Sequence, residues 1–113
     1  MDDMEVRQGA KMSRCRITVL KRTINQELID RYLNESRVDF GRCQVYEDGQ
    51  EIIIEDFPLK PEGFCDWAWA DIHRDVVAVM FGGSYPWIRH PRTAITCCTD
   101  GLRPVIFKVE KID

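Results

Sequence analysis

The chain has 113 residues, the commonest size for one domain, and 44% of them are hydrophobic, so it can bury about 65% of its unfolded surface without metal or disulfide staples. Sixteen Lys and Arg against nineteen Asp and Glu leave a net charge of −3 with both signs interspersed, which argues against a phosphate-tracking surface and hence against a nucleic-acid partner. No apolar run approaches the roughly 20 residues that cross a bilayer, and Met1 to Arg14 lacks the apolar centre of a signal peptide, so the expectation is a cytoplasmic protein with no membrane partner.

Residues 1–13 mix charges with Gln8 and Gly9 and show no sustained period, so they are expected to form a flexible extension. Residues 14–113 then form a single α+β domain. Cys15, Ile17 and Val19 alternate with Arg16, Thr18 and Leu20, which predicts a strand with one well-buried face. Thr23 and Gln26 have capping-box spacing, and Leu28, Ile29, Tyr32 and Leu33 share one face of the short helix that follows.

Asn34 to Arg42 is mostly polar; Cys43, Val45 and Tyr46 then lead into the Asp48-Gly49 turn, and Ile52-Ile53-Ile54 mark a second strand over Glu51 to Glu55. Pro58 and Pro61 remove backbone donors and forbid helix or central strand, which leaves an ordered connection or lid. From Asp66 to Phe81 the stripe Trp69, Ile72, Val76, Met80 predicts the longest helix, stopped by Gly82-Gly83, with Asp66, His73 and Arg74 facing outward. Ser84 to Pro91 is rich in turn formers. Thr93 to Cys98 and the alternating Val105, Phe107, Val109 then predict a hairpin around Asp100-Gly101. The expected fold is a small mixed or curled β-sheet of about four strands with two packed helices.

Five cysteines, an odd set without secretory context, point to reduced thiols. Cys65 is the most informative, because it immediately precedes the long helix, where unpaired backbone N–H groups and the positive end of the dipole favour a thiolate. That advantage is only about 1 kcal/mol, and Asp66 and Asp71 oppose it, so strong activation requires Arg89, His90 or Arg92 nearby. The competing reading makes Cys65 a helix-boundary residue packed beneath the Pro58 to Gly63 loop.

Cys98, at a strand end before Thr99-Asp100-Gly101, is the second candidate, with Cys97 on the opposite face; the alternative is that both are small buried hydrophobes. Cys43, Cys65 and Cys98, with His73 or His90, have the chemistry of a zinc or iron site but not the paired spacing one usually shows. No cofactor is specified by any motif. Trp69, Tyr85, Trp87 and His90 are expected to shape a pocket, although core packing also accounts for the tryptophans. Gly82-Gly83-Ser84 would present N–H groups to an anion, or simply end the helix.

Four segments, Gly63-Phe64-Cys65-Asp66-Trp67-Ala68, Met80-Phe81-Gly82-Gly83-Ser84-Tyr85-Pro86-Trp87, Cys97-Cys98-Thr99-Asp100 and Pro104-Val105-Ile106-Phe107, together resemble a family of short, uncharacterised bacterial proteins. The resemblance covers Cys15 to the C-terminus. It implies a bacterial cytosolic setting and singles out Cys65 and Cys98, with Cys43 third. Members commonly carry proline after the first two of these, where this chain has Asp66 and Thr99. The resemblance implies no particular reaction. Two functions stay open: a thiol-centred site for a small molecule, metal or redox partner, and a non-catalytic interaction subunit forming homo-oligomers through its tryptophans and a sheet edge.

Overall fold

A computed structural model describes residues 13–34 and 41–113. Apart from Ser13, the expected N-terminal extension lies outside the described residues. Strand β1 (Arg14–Arg22) is followed by α1 (Gln26–Tyr32), β2 (Glu51–Glu55), α2 (Asp66–Met80), β3 (Thr93–Cys97) and β4 (Val105–Lys111). The four strands form one sheet in the order β2-β1-β4-β3, and the two helices complete an α+β fold.

Among the described residues every strand pairing is antiparallel, and the parallel pair that a mixed sheet would contain is not present. Its absence follows from the path of the chain. After β2, at one edge, the connection through α2 leads to β3 at the other edge, and those two strands are not neighbours. Meanwhile β4 inserts beside β1, pairing Ile17 with Val109 and Thr18 with Lys108, and the register slips between Val19 and Lys21. A slip of this kind increases local twist and bends the strand.

The alternation in β1 turns Cys15, Ile17 and Val19 into the core, where they meet Val105, Phe107 and Val109 of β4. Helix α2 lies across β3, β4 and β1 and buries Ala68, Ile72, Val76, Val79 and Met80. That stripe recurs at the three- and four-residue spacing of one helical face, so the helix is held by packing more than by propensity. The opposite sheet face carries Arg16, Glu110 and Lys108, joined by ion pairs of 3.1 and 3.2 Å. Burial opposes charge on Glu110, but hydrogen bonds from Arg16 and Lys108 outweigh it and hold its carboxyl below the usual range.

The local sequence signals hold at the end of α2 and fail at the start of α1. Gly82 adopts φ +93°, its N–H reaches the Val79 carbonyl at 3.0 Å, and the Gly83 N–H reaches Ala78 at 2.7 Å. This is the paired closure that ends a helix at glycine. It occupies the amides that an anion would have used, while the Ser84 hydroxyl accepts from the Arg92 N–H.

At α1 the N-cap is Asn25, not Thr23, and the capping box is not formed. Long-range pairing wins over the local motif: the Thr23 hydroxyl donates to the Pro104 carbonyl at 2.6 Å, and Gln26 bonds Asp30. Among the described residues of α1 only Ile29 is buried, and it stands outside the main core. Leu28 and Tyr32, expected on the buried face, are exposed.

Candidate functional site

Three segments that are far apart in sequence meet beside the start of α2. The first is the chain from Cys43 to Gln50, which is laid along β1. Arg22 fixes it by donating to the Cys43 carbonyl at 3.1 Å and, through its backbone N–H and Nε, to Asp48 at 2.9 and 3.1 Å. Gly49, at φ +84°, makes the turn that brings its N–H to the Val19 carbonyl at 2.7 Å. Tyr46 is thereby driven inward. Its ring sits edge-on to Phe64 and Phe107, with centroids 5.3 and 5.4 Å away.

The second segment is the helix start. Cys65 is the N-cap of α2, but its side chain makes no cap bond. Its backbone N–H instead donates to the Tyr46 hydroxyl at 3.0 Å. The first turns of the helix offer Trp67, Ala68, Ala70 and Asp71 to the site, while Ile72 and Val76 turn to the sheet.

The third segment is the end of β3. Cys98 donates its N–H to the Val105 carbonyl at 3.1 Å, and its sulfur accepts from the Val105 N–H at 3.3 Å. Asp71 accepts from the backbone and hydroxyl of Thr99 at 2.7 and 2.9 Å, pinning the strand end to α2. Asp100 closes the following turn by accepting from the N–H groups of Leu102 and Arg103. Asn25 ties α1 to the same turn through the Gly101 carbonyl at 2.7 Å.

Together with Leu33 and Asn34 beyond α1, these segments line a half-open cavity of about 1010 Å³ with a predominantly apolar lining, to which Cys43, Cys65, Cys98 and Tyr46 all contribute. Tyr46 is only 3% exposed. Burial pushes its phenol well above the ordinary tyrosine value; the Cys65 N–H opposes this, and the charged forms of Cys65, Cys43 and Cys98 would add to it. The hydroxyl is therefore a neutral hydrogen-bonding group among three thiols.

The structure thus brings together all three cysteines singled out in the sequence, each half-buried at one cavity. All five cysteines are free. Cys15 is core, and burial pushes its thiol up to about 12, with Lys111 acting against the shift and Asp113 with it. Cys97 is exposed while its neighbour Cys98 packs against the core, as opposite strand faces require. Among the described residues no group of three or more His, Cys, Asp and Glu is placed to hold a metal ion, so the three thiols share a cavity without forming a ligand cluster.

The residues expected to shape the cysteine pocket lie elsewhere. Tyr85 and Trp87 line a separate cavity of about 440 Å³ with Arg74, Asp75 and Ile95, and the Tyr85 hydroxyl donates to Asp75 at 2.7 Å. His90 is exposed and lines neither cavity. Trp69 packs on Phe64 and on His73 at centroid distances of 5.5 and 5.3 Å. His73 is not outward-facing, because its Nε2 bonds the Pro58 carbonyl at 3.0 Å and ties the proline-rich connection to α2.

Arg89, His90 and Arg92 are not in the cysteine cavity; the arginine that lines it is Arg103. Asp66, whose charge stood against a thiolate at Cys65, pairs with Lys60 at 2.7 Å. The most important residue missed in the sequence is Tyr46. Its only signal was an aromatic residue with a polar tip just before a turn. No family model, no curated protein and no solved structure matches this chain. Among the described residues no helix is long and apolar enough to cross a membrane.

Proposed function

We propose that this is a small cytoplasmic binding protein whose site is the cavity bounded by Cys43, Cys65 and Cys98, and that its ligand is a small molecule. The supporting observation is the convergence itself. Separate segments, each fixed by its own hydrogen bonds, deliver three thiols and one buried phenol to a single apolar recess. Its volume is at the upper end of the roughly 300–1,000 Å³ typical of small-molecule sites. The resemblance to the family of short bacterial proteins, which singles out the same cysteines, agrees with this reading.

A direct test uses the neutral dye Nile red and alkylation by iodoacetamide. Nile red binds one per chain and slows the alkylation of Cys43, Cys65 and Cys98, while exposed Cys97 reacts at the same rate with and without dye. Unchanged rates at all three cavity cysteines sink the reading.

A second reading, an interaction subunit that forms homo-oligomers, is favoured by a different observation. Trp87 and Ile95, which both line the smaller cavity, are exposed by 76% and 49%. On that reading Trp87→Ala lowers the sedimenting mass and Cys65→Ser leaves it unchanged.

A further inference from the structure

Tyr46 holds a hydrogen that no described residue accepts. Its oxygen takes the Cys65 N–H, but no described group is placed to receive its own O–H, although the residue is 3% exposed. A donor that leaves water without finding an acceptor costs about 1–3 kcal/mol, so an occupant that displaces solvent from this hydroxyl must supply an acceptor of its own. The two carboxylates that line the cavity are used internally. Asp71 is committed to the backbone and hydroxyl of Thr99, and Asp100 to the backbone of Leu102 and Arg103. Tyr46 is therefore the buried, neutral hydroxyl donor that lines the cavity without a described acceptor.

The charges narrow the occupant further. Asp71 and Asp100 line the cavity with Arg103, whose guanidinium lies 3.5 Å from Asp100. An anion would enter against that acidic balance, and a cation would find both carboxylates already engaged. Val45, Ala68, Leu102 and Val105 supply apolar wall. At the rim, Trp67 lines the cavity while remaining 78% exposed, which places a broad aromatic surface where a flat ligand would stack.

We infer that the cavity takes a neutral, planar, largely apolar molecule bearing a carbonyl-type oxygen, which accepts the hydrogen bond that Tyr46 has unspent while the ring system lies against Trp67. This rests on the binding function proposed above and specifies its ligand class. Tyr46 is then the residue that selects the acceptor, and the thiols form the soft, apolar wall beside it.

The experiment compares acetylnaphthalene with isopropenylnaphthalene, a near-isostere in which the carbonyl oxygen is replaced by a CH2 group, each measured by displacement of Nile red. In Tyr46→Phe the ketone binds about tenfold more weakly than to the unaltered protein, while the alkene binds equally well to both. If Tyr46→Phe leaves the ketone affinity unchanged, or weakens ketone and alkene alike, the inference is overturned and the cavity reading survives. If neither naphthalene displaces the dye from the unaltered protein, both fall. The isotope-edited infrared spectrum of the ketone bound to the unaltered protein needs no variant. Its carbonyl stretch is expected to be red-shifted from the value in hexane, and a stretch at the hexane value overturns the inference.

Discussion

Two tyrosines flank α2 and have spent their hydroxyls differently. Tyr85 gives its hydrogen to Asp75 at 2.7 Å in the smaller cavity, and the pair is closed within the chain. Tyr46 accepts from Cys65 and keeps its hydrogen for the larger, apolar cavity. The same side chain is thus a structural brace in one place and an unsatisfied donor in the other. The difference shows why a pocket's aromatic content is a weaker guide to function than the state of its polar groups: the Tyr85 and Trp87 region is rich in rings, yet its best donor is consumed.

The most severe way to break the comparison is to remove the wall that positions Tyr46. Phe64 is 5% exposed and packs against Tyr46, Phe107 and Trp69. Phe64→Ala should cost about 3–5 kcal/mol in urea unfolding and abolish Nile red binding. The Tyr85 site shares no direct ring contact with Phe64, so the loss should be tested against a surface variant there, Trp87→Ala, which should stay within about 0.5 kcal/mol of the parent. A Phe64→Ala cost below 1 kcal/mol would mean that the aromatic cluster is not the scaffold of the cavity.

Next in size is the tyrosine pair itself. Tyr46→Phe leaves the Cys65 N–H at the helix start without its acceptor and should cost about 1–3 kcal/mol, whereas Tyr85→Phe should cost about 1 kcal/mol because Asp75 regains water. Equal costs would erase the distinction drawn between them. Alkaline titration sharpens it. Burial is the main cause of the rise at Tyr46; the hydrogen bond to Asp75, followed by burial, raises Tyr85.

A phenol whose folded value exceeds 10.0 contributes its full stability below that pH and loses it as pH climbs through the folded value. Cys15 acts with the same sign between 9.0 and about 12, and it is common to every variant. Urea midpoints should therefore begin to fall above about pH 9 in every variant, and above about pH 10 the decline should be steepest in the parent, shallower in Tyr85→Phe and shallowest in Tyr46→Phe. A parent midpoint that is flat across this range rules out buried, protonated phenols.

How much of this was legible in the sequence depends on how local each cause is. Strand β2 was read with its observed ends because Ile52-Ile53-Ile54 stand between charged residues, and α2 because its apolar stripe persists for four turns. The site was half legible. Cys65 could be placed at a helix start from neighbouring residues alone, but Trp67 and Trp69 sit two positions apart on that helix and so point in widely different directions. Pattern reading favoured Trp69 for the pocket, whereas packing against Phe64 and His73 claims Trp69 and leaves Trp67 at the rim. Tyr46 was out of reach because its partner lies 19 residues away, on the far side of β2 in the sequence. Thr23 failed for the same reason, since its acceptor, the Pro104 carbonyl, is 81 residues distant.

The smallest expected effect concerns the charge beside Cys65. Sequence reasoning set Asp66 against a thiolate at that position, but Lys60 pairs with Asp66 at 2.7 Å, and the Asp66 side chain is 84% exposed. An exposed pair of this kind contributes little, and salt screens it further, so Asp66→Asn should change stability by no more than about 0.5 kcal/mol. It removes the negative charge and leaves Lys60 uncompensated near the helix start, which should raise the alkylation rate of Cys65 by iodoacetamide about twofold at low salt, with the gain fading as salt is added. Cys98 lies at the end of β3 and should show no change, which makes it the internal control. A tenfold acceleration confined to Cys65 would mean that Asp66 suppresses a strongly activated nucleophile, and the cavity would then have to be read as a site of thiol chemistry as well as of binding.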